Sequence, residues 1–189
     1  MHYLESKNIL HRDLALRNLL VTTHGTTKYV VKVGDFGLSK ETPEGIYKAS
    51  STQAIPGRNF TEISCIQIFF LVKWSAPEVL LQRYYTSKSD VWSFGVTLYE
   101  LFGYGAVPYP VFTNTEVLEK LQEGYRMPKL ADMDEEVFNI IQECWHQDAE
   151  KRPNFKTIYE KINALCDKNG RNSILVEKTD VNPSQNIYN

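Results

Sequence analysis

Cysteine is scarce: Cys65, Cys144 and Cys166 are the only three in a chain of 189 residues. An odd number with neither CxxC nor metal-ligand spacing excludes a disulfide framework and points to a reduced compartment. A dominant charge is also missing, since 21 Lys and Arg stand against 23 Asp and Glu, for a formal net charge of -2. That balance offers no electrostatic footprint for nucleic acid or an acidic membrane surface. Long apolar runs are absent too. The longest nearly uncharged stretch, Ile63 to Val72, is ten residues, and a membrane helix needs about 20. Met1 to Lys7 shows neither a basic-then-apolar signal peptide nor an Arg-rich transit pattern.

What the chain does have is the material of a core. Hydrophobic residues make up 42% of it, with Phe 9, Trp 3 and Tyr 11, too many aromatics for a collagenous, mucin-like or wholly disordered chain. Leu19 to Val21 and Tyr29 to Val33 read as two short strands around a polar loop, Thr22 to Lys28. Residues 38 to 71 carry no sustained helical period. Beyond Ser75 the pattern turns helical. Val91 to Phe102 is apolar nearly all round, which predicts a central buried helix starting at Ser89 or Asp90. Thr113 and Glu116 form a capping box ahead of Val117. Val137, Ile140, Ile141, Cys144 and Trp145, then Phe155, Ile158, Tyr159, Ile162 and Leu165, follow helical spacing. From Asp167 the composition becomes polar, as in a loose tail. The expected fold class is mainly α with a small β-hairpin.

The chemistry lies near the start. His11 to Asn18 reads HRDLALRN, and Asp35, Phe36 and Gly37 follow the second strand. An Asp and an Asn five apart on a loop, with another Asp after a strand, suit phosphoryl transfer. One carboxylate takes the proton of a hydroxyl, while an amide oxygen and a second carboxylate hold Mg²⁺ over nucleotide phosphates.

In these residues the chain resembles the protein kinase family, and within it the tyrosine kinases. HRDLALRN is similar to the catalytic loop, GDFGLSK to the start of the activation segment and KWSAPE to its end. SDVWSFGVTLYELF resembles the central helix, and CWHQDAEKRP the stretch before the last helix. Five motifs in order cover about residues 1–166, as a C-terminal lobe. The resemblance implies ATP and Mg as cofactors, with Asp13 as catalytic base, assisted by Arg17. Asn18 and Asp35 are the implied metal ligands, and Leu20 the floor under the adenine. Arg12 would meet a phosphorylated residue of the activation segment, with Tyr47 in that position. Lys73 and Trp74 would form the wall where substrate docks. His11, Phe36, Glu78, Asp90 and Arg152 would be structural. His11, Phe36 and Leu20 are expected to be buried, and Glu78 and Arg152 to form an ion pair. Tyrosine specificity rests on Ala15 where serine/threonine kinases place a Lys, on Arg17, and on Lys73 and Trp74. Tyr188 has no motif around it.

Three departures from the family pattern stand out. The glycine-rich loop, strand Lys and helix Glu that clamp the phosphates have no counterpart before His11. GYGAVP at Gly103 to Pro108 reads instead as a helix-ending turn. The expectation is a fragment lacking its N-lobe and inactive alone. The activation segment is long, and removing the 15 residues 57–71, GRNFTEISCIQIFFL, restores the usual spacing. This block is either a translated unspliced intron, since Gly57–Arg58 and Leu71–Val72 can encode GT and TAG splice signals in frame, or a regulatory insertion. Sequencing cDNA across the junction separates the two. The interval from Asn18 to Asp35 is also a few residues longer than usual, absorbable in the hairpin loop.

The sequence thus predicts a protein-tyrosine kinase by family, acting on a tyrosine-bearing protein with no nucleic-acid partner. It would lie in the cytoplasm or on the cytosolic face of a receptor. Two alternatives remain open: a non-catalytic kinase-derived interaction module, which would have no need of Asp13, Asn18 and Asp35, and a serine/threonine kinase.

Overall fold

A computed structural model describes residues 1–24, 28–49 and 71–168. The insertion block, apart from Leu71, and the polar tail beyond Lys168 lie outside the described residues. Among those described, the chain runs α1 (His2–Ser6), β1 (Ile9–Leu10), β2 (Leu19–His24), β3 (Lys28–Val33), β4 (Lys40–Glu41) and β5 (Ile46–Lys48). It continues through α2 (Pro77–Gln82), β6 (Tyr84–Thr86), α3 (Ser87–Phe102), α4 (Asn114–Gln122), α5 (Glu135–Cys144) and α6 (Phe155–Lys168). The strands form three separate antiparallel pairs, β1 with β4, β2 with β3, and β5 with β6.

The core surrounds α3. Val91, Trp92 and Val96 of this helix pack with Val117 and Leu121 of α4, Ile140, Ile141 and Cys144 of α5, and Phe155 and Ile158 of α6. Gly95 permits the closest approach: a Cβ there would lie 2.8 Å from the Cys144 Cβ and 2.8 Å from Trp145 Nε1. Only a residue without a side chain lets α3 and α5 meet at that distance. The apolar surroundings also push the Cys144 thiol up to about 12, so this cysteine is packing material and not a nucleophile. Trp92 is fully buried, and the guanidiniums of Arg126 and Arg152 sit 4.7 and 4.9 Å from its ring.

Arg152 ties the bundle together. Its guanidinium donates to both oxygens of Glu78 at 2.7 and 2.9 Å, and to the carbonyls of His146 and Lys88. Such a forked arrangement satisfies a buried charge that would otherwise be costly.

Several local expectations need correction. The cap of α3 is Thr86, in a reciprocal box with Ser89, and neither Ser89 nor Asp90 caps it. Asp90 faces inward instead, where its carboxylate accepts the backbone N–H groups of His11 and Arg12. The strands β2 and β3 extend through Thr22, Thr23 and Lys28, assigned above to the loop, because an exposed hairpin tolerates polar residues on its faces. Leu20 is 58% exposed and Phe36 49% exposed, where burial was expected. Neither belongs to the buried cluster around α3 nor to the partly buried residues packed against it. The Thr113–Glu116 box on α4 is present as the sequence indicates. Gly103 caps α3, and Gly105, at φ +82, returns its N–H to the Glu100 carbonyl to close the turn.

Candidate active site

The loop that carries HRDLALRN is held from beneath by α3. The two carboxylate oxygens of Asp90 accept the backbone N–H groups of His11 at 2.7 Å and Arg12 at 2.9 Å. Burial pushes the Asp90 carboxyl up, and the two N–H donors pull it back. Arg12 adopts a left-handed φ of 67°, and this forked grip offsets the strain of holding it there.

His11 is fully buried and faces the strand end after β3. Its Nδ1 accepts the Asp13 N–H at 3.3 Å, which leaves Nε2–H to donate to the Gly34 carbonyl at 3.0 Å. The ring meets Phe36 edge-on at 5.2 Å. These contacts bring the two sequence-distant motifs together. Asp35, again with a left-handed φ of 54°, turns its carboxylate back to accept the Gly37 N–H at 3.2 Å.

Asp13 stands at the centre of the group. Partial burial raises its carboxyl above the ordinary carboxylate value, while the Arg17 guanidinium and Asn18 lower it and Asp35 raises it again. Arg17 donates directly to Asp13 Oδ1. The Asn18 amide donates to the Asp13 carbonyl at 2.7 Å, which leaves its side-chain oxygen as the atom a cation would use. Asn18 and Asp35 supply hard oxygen donors. That set suits Mg²⁺, which binds one or two protein oxygens and completes its shell with phosphate and water.

Lys73 and Trp74 lie on the short turn Val72–Trp74. Arg17 reaches Trp74, its guanidinium 4.8 Å from the ring centre. Lys73 is not offered outward here: its ammonium donates to the Tyr109 carbonyl at 3.0 Å, and burial lowers its basicity. On the other side, Tyr47 pairs opposite Tyr85 across β5 and β6, with ring centres 5.9 Å apart. Arg12 covers both rings, at 4.5 and 5.4 Å. Leu20, on the exposed hairpin, makes the side of the Gly34 backbone tight: a Cβ on Gly34 would stand 3.2 Å from Leu20 Cδ1.

One residue at this site lies within the central-helix motif SDVWSFGVTLYELF but carries no role in the sequence reading. Glu100 of α3 accepts from both the Leu16 N–H and the Trp74 indole. The only sequence signal for it is a carboxylate standing inside an otherwise apolar helix, Val91 to Phe102.

The chain matches the profile described as protein tyrosine and serine/threonine kinase over residues 1–162. It is 42% identical over 165 residues to the human (Homo sapiens) tyrosine-protein kinase Srms, covering 87% of this chain and 30% of that protein. To the tyrosine-protein kinase Fer of Rattus norvegicus it is 40% identical over 168 residues, covering 89% of this chain and 18% of that protein. The chain therefore spans less than a third of the length of these relatives. No helix among the described residues is long and apolar enough to cross a membrane. Ordered motifs, the loop-to-strand geometry and the family profile agree, and the chain belongs to the protein tyrosine and serine/threonine kinase family.

Proposed function

We propose that the chain is the C-terminal lobe of a protein-tyrosine kinase, transferring the γ-phosphoryl group of ATP to a tyrosine hydroxyl of a protein on the cytosolic side of the cell. The observation that carries this reading is Asp13, partly buried, gripped by Arg17 and Asn18, and electrostatically coupled to Asp35. Asp13 accepts the phenolic proton as the oxygen forms its bond to phosphorus, and the bond to the bridging oxygen breaks to release ADP. Asn18 and Asp35 would hold Mg²⁺, which supplies charge neutralisation for the phosphates. Trp74 and the Lys73 backbone form the wall against which the phenol lies.

The exposed residues Leu20 and Phe36 fit a surface that meets a nucleotide-clamping lobe, whereas Val21 and Val31 pair on the opposite face of the hairpin. Arg12, lying over Tyr47, is placed to hold a phosphate on that residue, adding a charge-assisted pair to the present ring contact.

The test is a phosphotyrosine assay on a tyrosine polymer with ATP and Mg²⁺. The 189-residue chain alone should give no signal. Fused behind the nucleotide-clamping lobe of a relative such as Srms, it should become active, and Asp13→Asn should lower that activity by about 10²–10⁴-fold. A folded but inactive fusion, or an Asp13→Asn fusion with full activity, overturns the reading. Phosphoserine as the main product on a mixed substrate would replace tyrosine with serine specificity.

A further inference from the structure

Glu100 sits in a place that a helix does not favour for a carboxylate. It is in the last turn of α3, where the helix dipole is negative, and it is 8% exposed. Among the described ion pairs it has no cationic partner. Its contacts are two N–H donors, both on Oε2: the Leu16 backbone at 3.0 Å and the Trp74 indole at 3.1 Å.

These two donors belong to the two sides of the site. Leu16 opens the short turn Leu16–Asn18 that carries Arg17 and Asn18. Trp74 closes the turn that ends the activation segment. The Trp74 backbone is already fixed by another residue of α3, because Ser93 Oγ donates to its carbonyl at 2.8 Å. The indole bond to Glu100 is therefore not needed to keep the segment on the helix. What it fixes is the direction of the ring, and the Arg17 guanidinium rests on that ring before reaching Asp13. Glu100, Trp74, Arg17 and Asp13 form a chain of contacts, and the Leu16 bond ties that chain back to the catalytic loop.

We infer that Glu100 is a positioning residue for phosphoryl transfer: it aims the Trp74 ring that seats Arg17, and so sets the substrate wall and the Asp13 carboxylate on one anchor. The inference rests on the kinase reading of Asp13. A purely structural glutamate would satisfy its two donors and leave Arg17 indifferent to its loss.

The experiment is nuclear magnetic resonance on the full 189-residue chain, which reads Arg17 without any phosphotransfer and so separates this inference from the kinase assay. In the unaltered chain the Arg17 side-chain protons should be shifted upfield by the Trp74 ring, and the Trp74 indole proton protected from exchange. Glu100→Gln should retain both, because a single amide oxygen can accept both N–H groups. Glu100→Leu should abolish the Arg17 shift and speed indole exchange by about 10-fold, the loss of one hydrogen bond to a charged acceptor. The Trp92 and Trp145 indole signals should stay in place as evidence of an intact core. If Glu100→Leu does not fold, Glu100→Asp serves in its stead. Its carboxylate is one methylene short of spanning both donors, so the Arg17 shift should diminish with the charge preserved. An unchanged Arg17 shift alongside an unprotected indole, in either variant, overturns the inference, as does a Glu100→Gln chain that behaves like Glu100→Leu.

Discussion

The helical region after residue 71 and the loop-and-hairpin region before residue 49 are stabilised by different means. In the first, apolar side chains interlock around α3, and the buried Arg152 guanidinium is met by both oxygens of Glu78. In the second, Leu20, Val21, Val31 and Phe36 face outward, and order comes from polar struts that α3 extends into the loop: Asp90 to His11 and Arg12, and Glu100 to Leu16. The proposed reactive groups, Asp13, Asn18 and Asp35, stand on the region with less hydrophobic support and borrow rigidity from the region with more. A site proposed to admit two substrates would not be walled in by packing, whereas directional hydrogen bonds hold such a loop open and in place.

The largest disturbance should come from the helical side. Arg152→Leu leaves the partly buried Glu78 carboxylate and the carbonyls of His146 and Lys88 without their partner, and urea denaturation should show a loss of about 3–5 kcal/mol. A loss under 1 kcal/mol would mean that packing alone holds this half. Next comes the strut itself. Asp90→Asn presents an N–H group toward one of two N–H donors, and should cost about 1–3 kcal/mol. Hydrogen exchange at His11 and Arg12 should accelerate before exchange in α5 does, and uniform acceleration would erase the distinction between the two regions.

Asp13→Asn should act in the opposite direction. Its folded-state carboxyl is raised above the unfolded value, so its contribution to stability is fully present below the unfolded value and is lost as pH rises through the folded one. Asparagine escapes that loss. The variant should melt higher at pH 7, with the gap closing below pH ~4, where both side chains are neutral. A gap that grows on acidification would show that Arg17 outweighs burial. The smallest effect is expected on the hairpin: Val31→Lys should move the unfolding midpoint by no more than about 0.5 kcal/mol. A larger loss would show that this exposed face is packed in solution.

Much of this arrangement was legible in the chain, for identifiable reasons. The motifs around Asp13 and Asp35 announce chemistry through residue type and order, and Thr113 with Glu116 announces a cap because both partners lie within one turn. The start of α3 was misplaced because Ser89 and Asp90 are equally good caps by local rules, and Asp90 is claimed by a backbone 79 positions away. Glu100 went without a role for the same reason: its donors, the Leu16 N–H and the Trp74 indole, come from two distant turns. The exposure of Leu20 and Phe36 could not be read locally either, since the apolar character of a side chain does not say which neighbour covers it.

The pairing of β5 with β6 has a topological consequence. Ile46, Tyr47 and Lys48 are fastened to Thr86, Tyr85 and Tyr84, and the Ala49 N–H adds a bond to the Arg83 carbonyl. The two strands act as a clasp on everything that runs between them, including residues 57–71. Loop closure responds to chain length only logarithmically, at about 0.6 kcal/mol for each doubling. A chain cut back by those 15 residues would close the same clasp at nearly the same stability, so this position can gain or lose a whole peptide block while Arg12 keeps its hold on Tyr47.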